Sequence, residues 1–297
     1  MDHIGLFRIL LAAAFSFPRA TAVSAQSPDW KAVEAAMGRP AVVQPGDVHR
    51  FNFPRGDLQV TVGTVQVKPA LALGGWVAFA PHGSETVAMG DLVLTTEELG
   101  PVLRRLQQGG IEQSAMHHHL VGESPRLLYV HIHGHGDPVR LAETLRATVA
   151  LTRIPAPAPP AASSGPFALD TAAIARALGA SGRVNGGVYQ VSVPRAEPIR
   201  EGDFEIPPAL GLGTAINFQP TEAGSAAITG DFVLLGEEVN PVIRALLDNG
   251  IEPTSLHNHL LQEQPRLFFL HFWANADAVK LARGLRAALD RTNSKRP

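Results

Sequence analysis

Apolar residues along this chain follow two alternating spacings. Asp29–Met37 places Trp30, Val33 and Met37 on one helical face, and Gly38 ends the segment. The spacing then shortens to two: Val48–Phe53 and Leu58–Val67 alternate as half-buried strands do, the second rich in β-branched residues. Pro69 and Gly74-Gly75 break the chain. Trp76–Ala80 resumes an apolar run, and Thr86–Leu94 reads as a strand with Gly90 at a bulge. A helical period returns with Leu99, Val102, Leu103 and Leu106. Thr95 or Thr96 can cap that helix, Glu97 and Glu98 fill its first turn, Pro101 falls early enough to be tolerated, and Gly109-Gly110 stop it. Ile111–Leu120 and Arg126–His133 read as the two strands of a hairpin. Asp137 then caps a last helix with Pro138 at its first position.

The whole order recurs, with His257 standing 140 positions after His117. Gly90-Asp91 matches Gly230-Asp231, Glu97-Glu98 matches Glu237-Glu238, and Pro125-Arg126-Leu127 matches Pro265-Arg266-Leu267. The hairpin His117–His133 corresponds to His257–Trp273. Two modules are therefore expected, over residues 26–151 and 169–297, joined by a Pro/Ala-rich linker over 152–168. Each predicts helices packed on a mainly antiparallel sheet, an α+β fold whose two copies form a pseudo-two-fold pair. The repeat is too long for a solenoid.

Composition narrows the chemistry. The 297 residues are 45% hydrophobic and 18% charged with a net charge of −2, which points to a globular protein and away from a nucleic-acid partner. The absence of cysteine removes disulfides, thiolate metal sites and a cysteine nucleophile. Met1–Ala25 reads as a signal peptide: Arg8 precedes the apolar run Ile9–Phe17, and Val23-Ser24-Ala25 offers small residues for cleavage. A periplasmic or secreted protein, processed near Ala25, is the expectation. No other segment is long and apolar enough for a membrane span.

Nine of the twelve histidines fall within 117–135 or 257–271. Alternate strand residues share a face, so His117 and His119 look one way, as do Tyr129, His131 and His133 on the return strand. Where those faces coincide, His117, His119 and His131 converge, with His133 within reach. Three imidazoles on paired strands suit a divalent metal, zinc first, with a position left for water. His257, His259 and His271 repeat the set. Two other readings of the histidines stand beside this one, a metal-free polar pocket and hydrogen-bonded structural residues. Glu123 and Glu263, in the hairpin turns, read as solvated carboxylates, with Glu123 a candidate base for a metal-bound water. Asp91 and Asp231 read as bulge or turn residues, and Glu98 and Glu238 as partners of a helix dipole. The copies differ where His118, His133 and His135 become Asn258, Trp273 and Asn275, and His118 and His135 read as solvent-facing.

The residues that repeat carry a family likeness. Gly90–Leu94 and Gly230–Leu234, Gly110-Ile111-Glu112 and Gly250-Ile251-Glu252, the His-x-His-Leu segments ending at Leu120 and Leu260, and the Pro-Arg strands running to His131 and His271 resemble the LppY/LpqO lipoprotein family. The likeness covers nearly all of the chain beyond Ala25. It implies an exported protein of no established activity and so assigns no catalytic residue. This chain departs from lipoprotein members in having no cysteine to lipidate, which argues against an anchor. The spacing of the histidines is also similar to the zinc site of acetolactate decarboxylase, in spacing alone. Two functions follow as expectations. One is an exported metal-binding protein, extending to a metal-dependent hydrolase or lyase. The other is a non-catalytic envelope module that binds a small molecule or a protein between its copies.

Overall fold

A computed structural model describes residues 27–156 and 166–295. The expected signal peptide and the middle of the linker lie outside them. The first module runs α1 (Trp30–Met37), β1 (Val42–Gln44), β2 (Val48–Pro54), β3 (Val60–Val62), β4 (Val65–Val67), α2 (Pro69–Ala72), β5 (Gly74–His82), β6 (Glu85–Leu94), α3 (Thr96–Gln108), β7 (Glu112–His117), β8 (Glu123–Ser124), β9 (Leu128–Gly136) and α4 (Pro138–Val149). The second runs α5 (Thr171–Leu178), β10 (Gly182–Asn185), β11 (Val188–Pro194), β12 (Arg200–Glu201), β13 (Phe204–Glu205), a 3-10 turn at Pro208–Leu210, β14 (Gly213–Pro220), β15 (Ser225–Leu235), α6 (Gly236–Asp248), β16 (Glu252–His257), β17 (Leu267–Asp277) and α7 (Ala278–Leu289). No helix among the described residues is long and apolar enough to cross a membrane.

Each module builds a six-stranded antiparallel sheet, in the orders β1-β2-β5-β6-β9-β7 and β10-β11-β14-β15-β17-β16. The α+β reading therefore holds, with two departures. Leu58–Val67 is not one strand: a turn after Val62, with Gly63 at φ 56°, splits it into the hairpin β3–β4, which lies outside the main sheet and pairs with β8. Gly90 marks no bulge, since Trp76↔Asp91 and Val77↔Gly90 are consecutive in register. It is a close approach instead: a Cβ at Gly90 would stand 2.6 Å from the Trp76 carbonyl oxygen.

The helices cover one face of each sheet. In the first module Val33, Met37, Val102, Leu106, Leu141 and Leu145 pack on Val77, Phe79, Leu92, Val130 and Ile132. Strand alternation turns the remaining residues inward, where the two modules meet. Ala78, Ala80 and Met89 share a core with Leu260, Leu267 and Phe269 of the second module. Val93, Leu127 and Tyr129 share another with Val188 and Ala227. The halves are joined through buried apolar surface, which is the dominant favourable term in such contacts.

A buried arginine anchors each module. Arg55 donates to Glu98 at 2.6 and 3.2 Å, to Asp57 at 2.8 and 3.0 Å, and to the Val93 carbonyl at 2.8 Å. Arg195 repeats this with Glu238, Glu197 and Val233. Glu98 and Glu238 thus do more than face a helix dipole. Each accepts the backbone N–H that opens its helix, from Thr95 or Leu235, and closes a buried ion pair. Glu98 also accepts from the Arg153 backbone at 2.9 Å, and Ile154 and Phe167 pack on the two cores, so both ends of the linker are held down.

Candidate metal centre

Register places the histidines. Asp91 lies opposite His131 between β6 and β9, while Ala115 lies opposite His131 and His117 opposite Tyr129 between β7 and β9. Directly opposed residues of an antiparallel ladder share a face, so Asp91, His117 and His131 all point inward. Asp231, His257 and His271 are placed alike, with Asp231↔His271 and His257↔Phe269. β7 ends at His117, earlier than the expected Leu120, and His119 follows the strand end. The Thr254 hydroxyl donates to the His119 carbonyl at 2.6 Å, and the Ser114 hydroxyl donates to the His259 carbonyl at 2.5 Å. These are equivalent bonds across the pseudo-two-fold, and they bind each module to the other's histidine segment.

The two hairpins therefore face one shared centre. His117 and His257, which are equivalent residues, stack with ring centroids 3.7 Å apart. His119 lies 3.8 Å from His271, and His131 lies 3.9 Å from His259. Tyr129 backs His119 at 3.3 Å and Phe269 backs His259 at 3.5 Å. Asp91 Oδ2 is 3.4 Å from His119 Nε2, and Asp231 Oδ2 is 3.1 Å from His259 Nε2. The His271 Nδ1–H donates to the Gly230 carbonyl at 2.7 Å, which fixes the tautomer and leaves Nε2 as the lone-pair nitrogen.

His131, His257, His259 and His271 are only 3–8% exposed. Burial, reinforced by the neighbouring imidazoles, holds His117 down to about 3 and lowers His119, His131, His257 and His271. Burial, with Asp231 adding to it, pushes the Asp91 carboxyl up to about 8. Burial also pushes Asp231 up, but His271 and His259 outweigh it and hold this carboxyl below its usual range. Neutral imidazole is the form that binds metals. The donor atoms are also unpaired: both nitrogens of His117 and His257, Nε2 of His119, His131, His259 and His271, and Oδ1 of Asp91 and Asp231 are buried without hydrogen-bond partners. Buried polar atoms are normally satisfied, and such a cluster could hold an ion.

Four donor groups come within 4.8 Å among themselves: His117, His131 and His257; His117, His119 and His271; Asp91, His119 and His131; Asp231, His257 and His259. The expected sets are thus rearranged. His117, His119 and His131 do not form a group by themselves; each group that holds them brings in an aspartate or a histidine of the other module. Asp91 and Asp231, read as turn residues, sit with the donors. A signal for them was present: each is a charged residue in the middle of a mostly apolar strand segment, over 87–94 and 226–235.

His133 belongs to none of these groups. Two residues along a strand is about 7 Å, and there its Nε2 meets Glu201 of β12 at 2.9 Å. Glu123 is buried, contrary to the solvated reading, and its Oε1 accepts from the Leu127 N–H at 3.0 Å. Burial raises its carboxyl to about 7. Glu263 holds Leu267 likewise at 2.9 Å and pairs with Arg266 at 3.2 Å. His118 is about a third exposed, yet it is not idle: its Nδ1–H donates to the Leu127 carbonyl at 2.5 Å, as Asn258 donates to the Leu267 carbonyl at 2.8 Å. His135 is nearly half exposed, beside Glu85.

A family model described as Domain of Unknown Function (DUF1259) matches residues 31–151 and 172–291. The chain belongs to this family. The two matched segments are the two modules, so the duplication is a repeat of one family domain. None of the curated proteins matches the chain. Among solved structures, the trimeric bacterial microcompartment shell protein PduB is 15% identical, with 84% of this chain and 92% of that one covered at a TM-score of 0.20. EtuB from Clostridium kluyveri is 8% identical, with 84% and 90% covered at a TM-score of 0.20. Likeness at that level defines no shared fold.

Proposed function

We propose that this chain is an exported metal-binding protein of the LppY/LpqO type that holds zinc or a similar divalent ion between its two modules. The observation that carries the reading is the cluster of buried imidazole and carboxylate atoms without partners. Each unpaired buried polar group costs roughly 1–3 kcal/mol, and coordination offsets that cost at one atom of each donor side chain. Imidazole with carboxylate favours zinc, with copper, nickel or iron as neighbours in chemistry. Export rests on the Met1–Ala25 pattern and on the repeated Gly-Asp, His-x-His-Leu and Pro-Arg segments that resemble the lipoprotein family.

A hydrolase or lyase step requires a substrate to reach the ion. Five of the eight donors are buried and His117, His119 and Asp231 are half-buried, which suits an ion better than a substrate, so holding metal comes ahead of turnover. Glu123 is engaged by Leu127 and serves the turn rather than a bound water. The reading keeps the non-catalytic side of the envelope-module alternative and places an ion between the copies instead of an organic ligand.

The test is metal content by mass spectrometry on untagged protein expressed with zinc, beside the His117→Ala, His119→Ala variant. Bound zinc that falls in the variant supports the proposal. Protein that carries no metal and takes up none in titration overturns it.

A further inference from the structure

We infer that the centre holds two divalent ions per chain, and that each ion takes a histidine pair from one module and its third histidine from the other. The inference rests on the metal-binding reading above. Asp231, His257 and His259 share no member with His117, His119 and His271, so two ions can be held at once without competing for a donor. A single tetrahedral ion uses four ligands and would leave the rest of the buried imidazoles and carboxylates unpaired. Two ions use all eight side chains.

The crossing follows from which rings meet. His119 lies against His271 at 3.8 Å and His131 against His259 at 3.9 Å. These are equivalent contacts, and both join the modules. Gly230 orients His271 so that its Nε2 is free for an ion. Each aspartate stands beside the histidine pair of its own module, Asp91 by His119 and Asp231 by His259. The first ion then takes Asp91, His117 and His119 with His271 of the second module. The second takes Asp231, His257 and His259 with His131 of the first. Each set is three imidazole nitrogens and one carboxylate, a donor set that suits zinc. The competing assignment keeps each return-strand histidine at home, as the group Asp91, His119 and His131 allows. In the crossed arrangement neither module completes a site alone, and the ions join the halves that Ser114 and Thr254 already tie.

Zinc stoichiometry on the full mature chain decides between these. The expected value for the wild type is two; one overturns the inference while the metal-binding reading stands, and none overturns both. Two double variants then test the crossing. His119→Ala with His271→Ala removes donors of one ion and retains one zinc, whereas His119→Ala with His131→Ala strikes both ions and retains none. The reverse pattern overturns the crossing. Circular dichroism checks that each variant is folded, and glutamine replaces alanine where it is not. The wild-type stoichiometry needs no variant.

Discussion

The two modules agree most closely where they meet and differ most at the rim of that meeting. At the centre each supplies an aspartate, a His-x-His pair and a return-strand histidine. At the rim, His133 reaches Glu201, while its counterpart Trp273 packs beside the apolar cluster of β3, β4 and α2. The excursions from the sheets differ as well: β3–β4–α2 in the first module, and β12–β13 with the 3-10 turn in the second. Each lies over the partner module's sheet, and the bonds from Gln219 to the Gln66 carbonyl and from Lys68 to Gln219 show the first doing so. A duplicated chain is free to vary the coverings while the shared centre constrains both copies together.

If the copies are equivalent at the centre, removing the two rings that stack there, His117 and His257, produces the largest effect. His117→Ala with His257→Ala is expected to lower zinc affinity by more than about 100-fold, since even outer partners of a metal site contribute 10–100-fold; competition with a chelating dye measures it. An unchanged affinity would break the equivalence. The buried arginines come next. Arg55→Ala and Arg195→Ala each leave a buried glutamate without its cation, at about 3–5 kcal/mol, read from urea unfolding. A large loss in only one variant would show that the modules rely on the bridge unequally.

Glu123 sharpens the comparison through pH. Its carboxyl is raised from 4.5 to about 7 in the folded protein, so the folded state holds the proton more tightly than the unfolded chain. Its contribution is fully present below pH 4.5 and is lost as pH rises toward 7. Glu123→Gln is expected to flatten stability against pH over that window, measured by thermal unfolding of the metal-free protein. A slope that persists in the variant belongs to other groups. The paired cross-links Ser114→Ala and Thr254→Ala are each expected to cost about 1 kcal/mol, with equal values expected from their equivalent geometry. Smallest of all, His118→Asn restores the donor that Asn258 already supplies in the second module, and a change within about 0.5 kcal/mol is expected.

The duplication, the α+β class and the main helices were legible in the chain itself, because period, caps and breakers are local. Thr95, Asp137 and Gly38 mark their helix ends where the structure has them. Strand parity made legible that His117 and His119 share one direction, and His131 and His133 another; that the faces of His117 and His131 coincide was decided by register. Leu58–Val67 reads as one strand because alternation continues through the turn at Gly63, and only pairing partners reveal a hairpin. Arg55 and Asp91 gave weaker signals, single charged residues whose meaning depends on what lies across the sheet.

By itself, then, the sequence determined two copies of one module and a histidine-bearing hairpin in each, since those follow from repetition and spacing. Only the tertiary structure decided that the hairpins face each other, that Asp91 and Asp231 join the histidines, and that His133 leaves them for Glu201. The reason is physical: donor convergence depends on contacts between residues more than a hundred positions apart. Those contacts are set by how two apolar sheet faces pack, which local spacing does not encode.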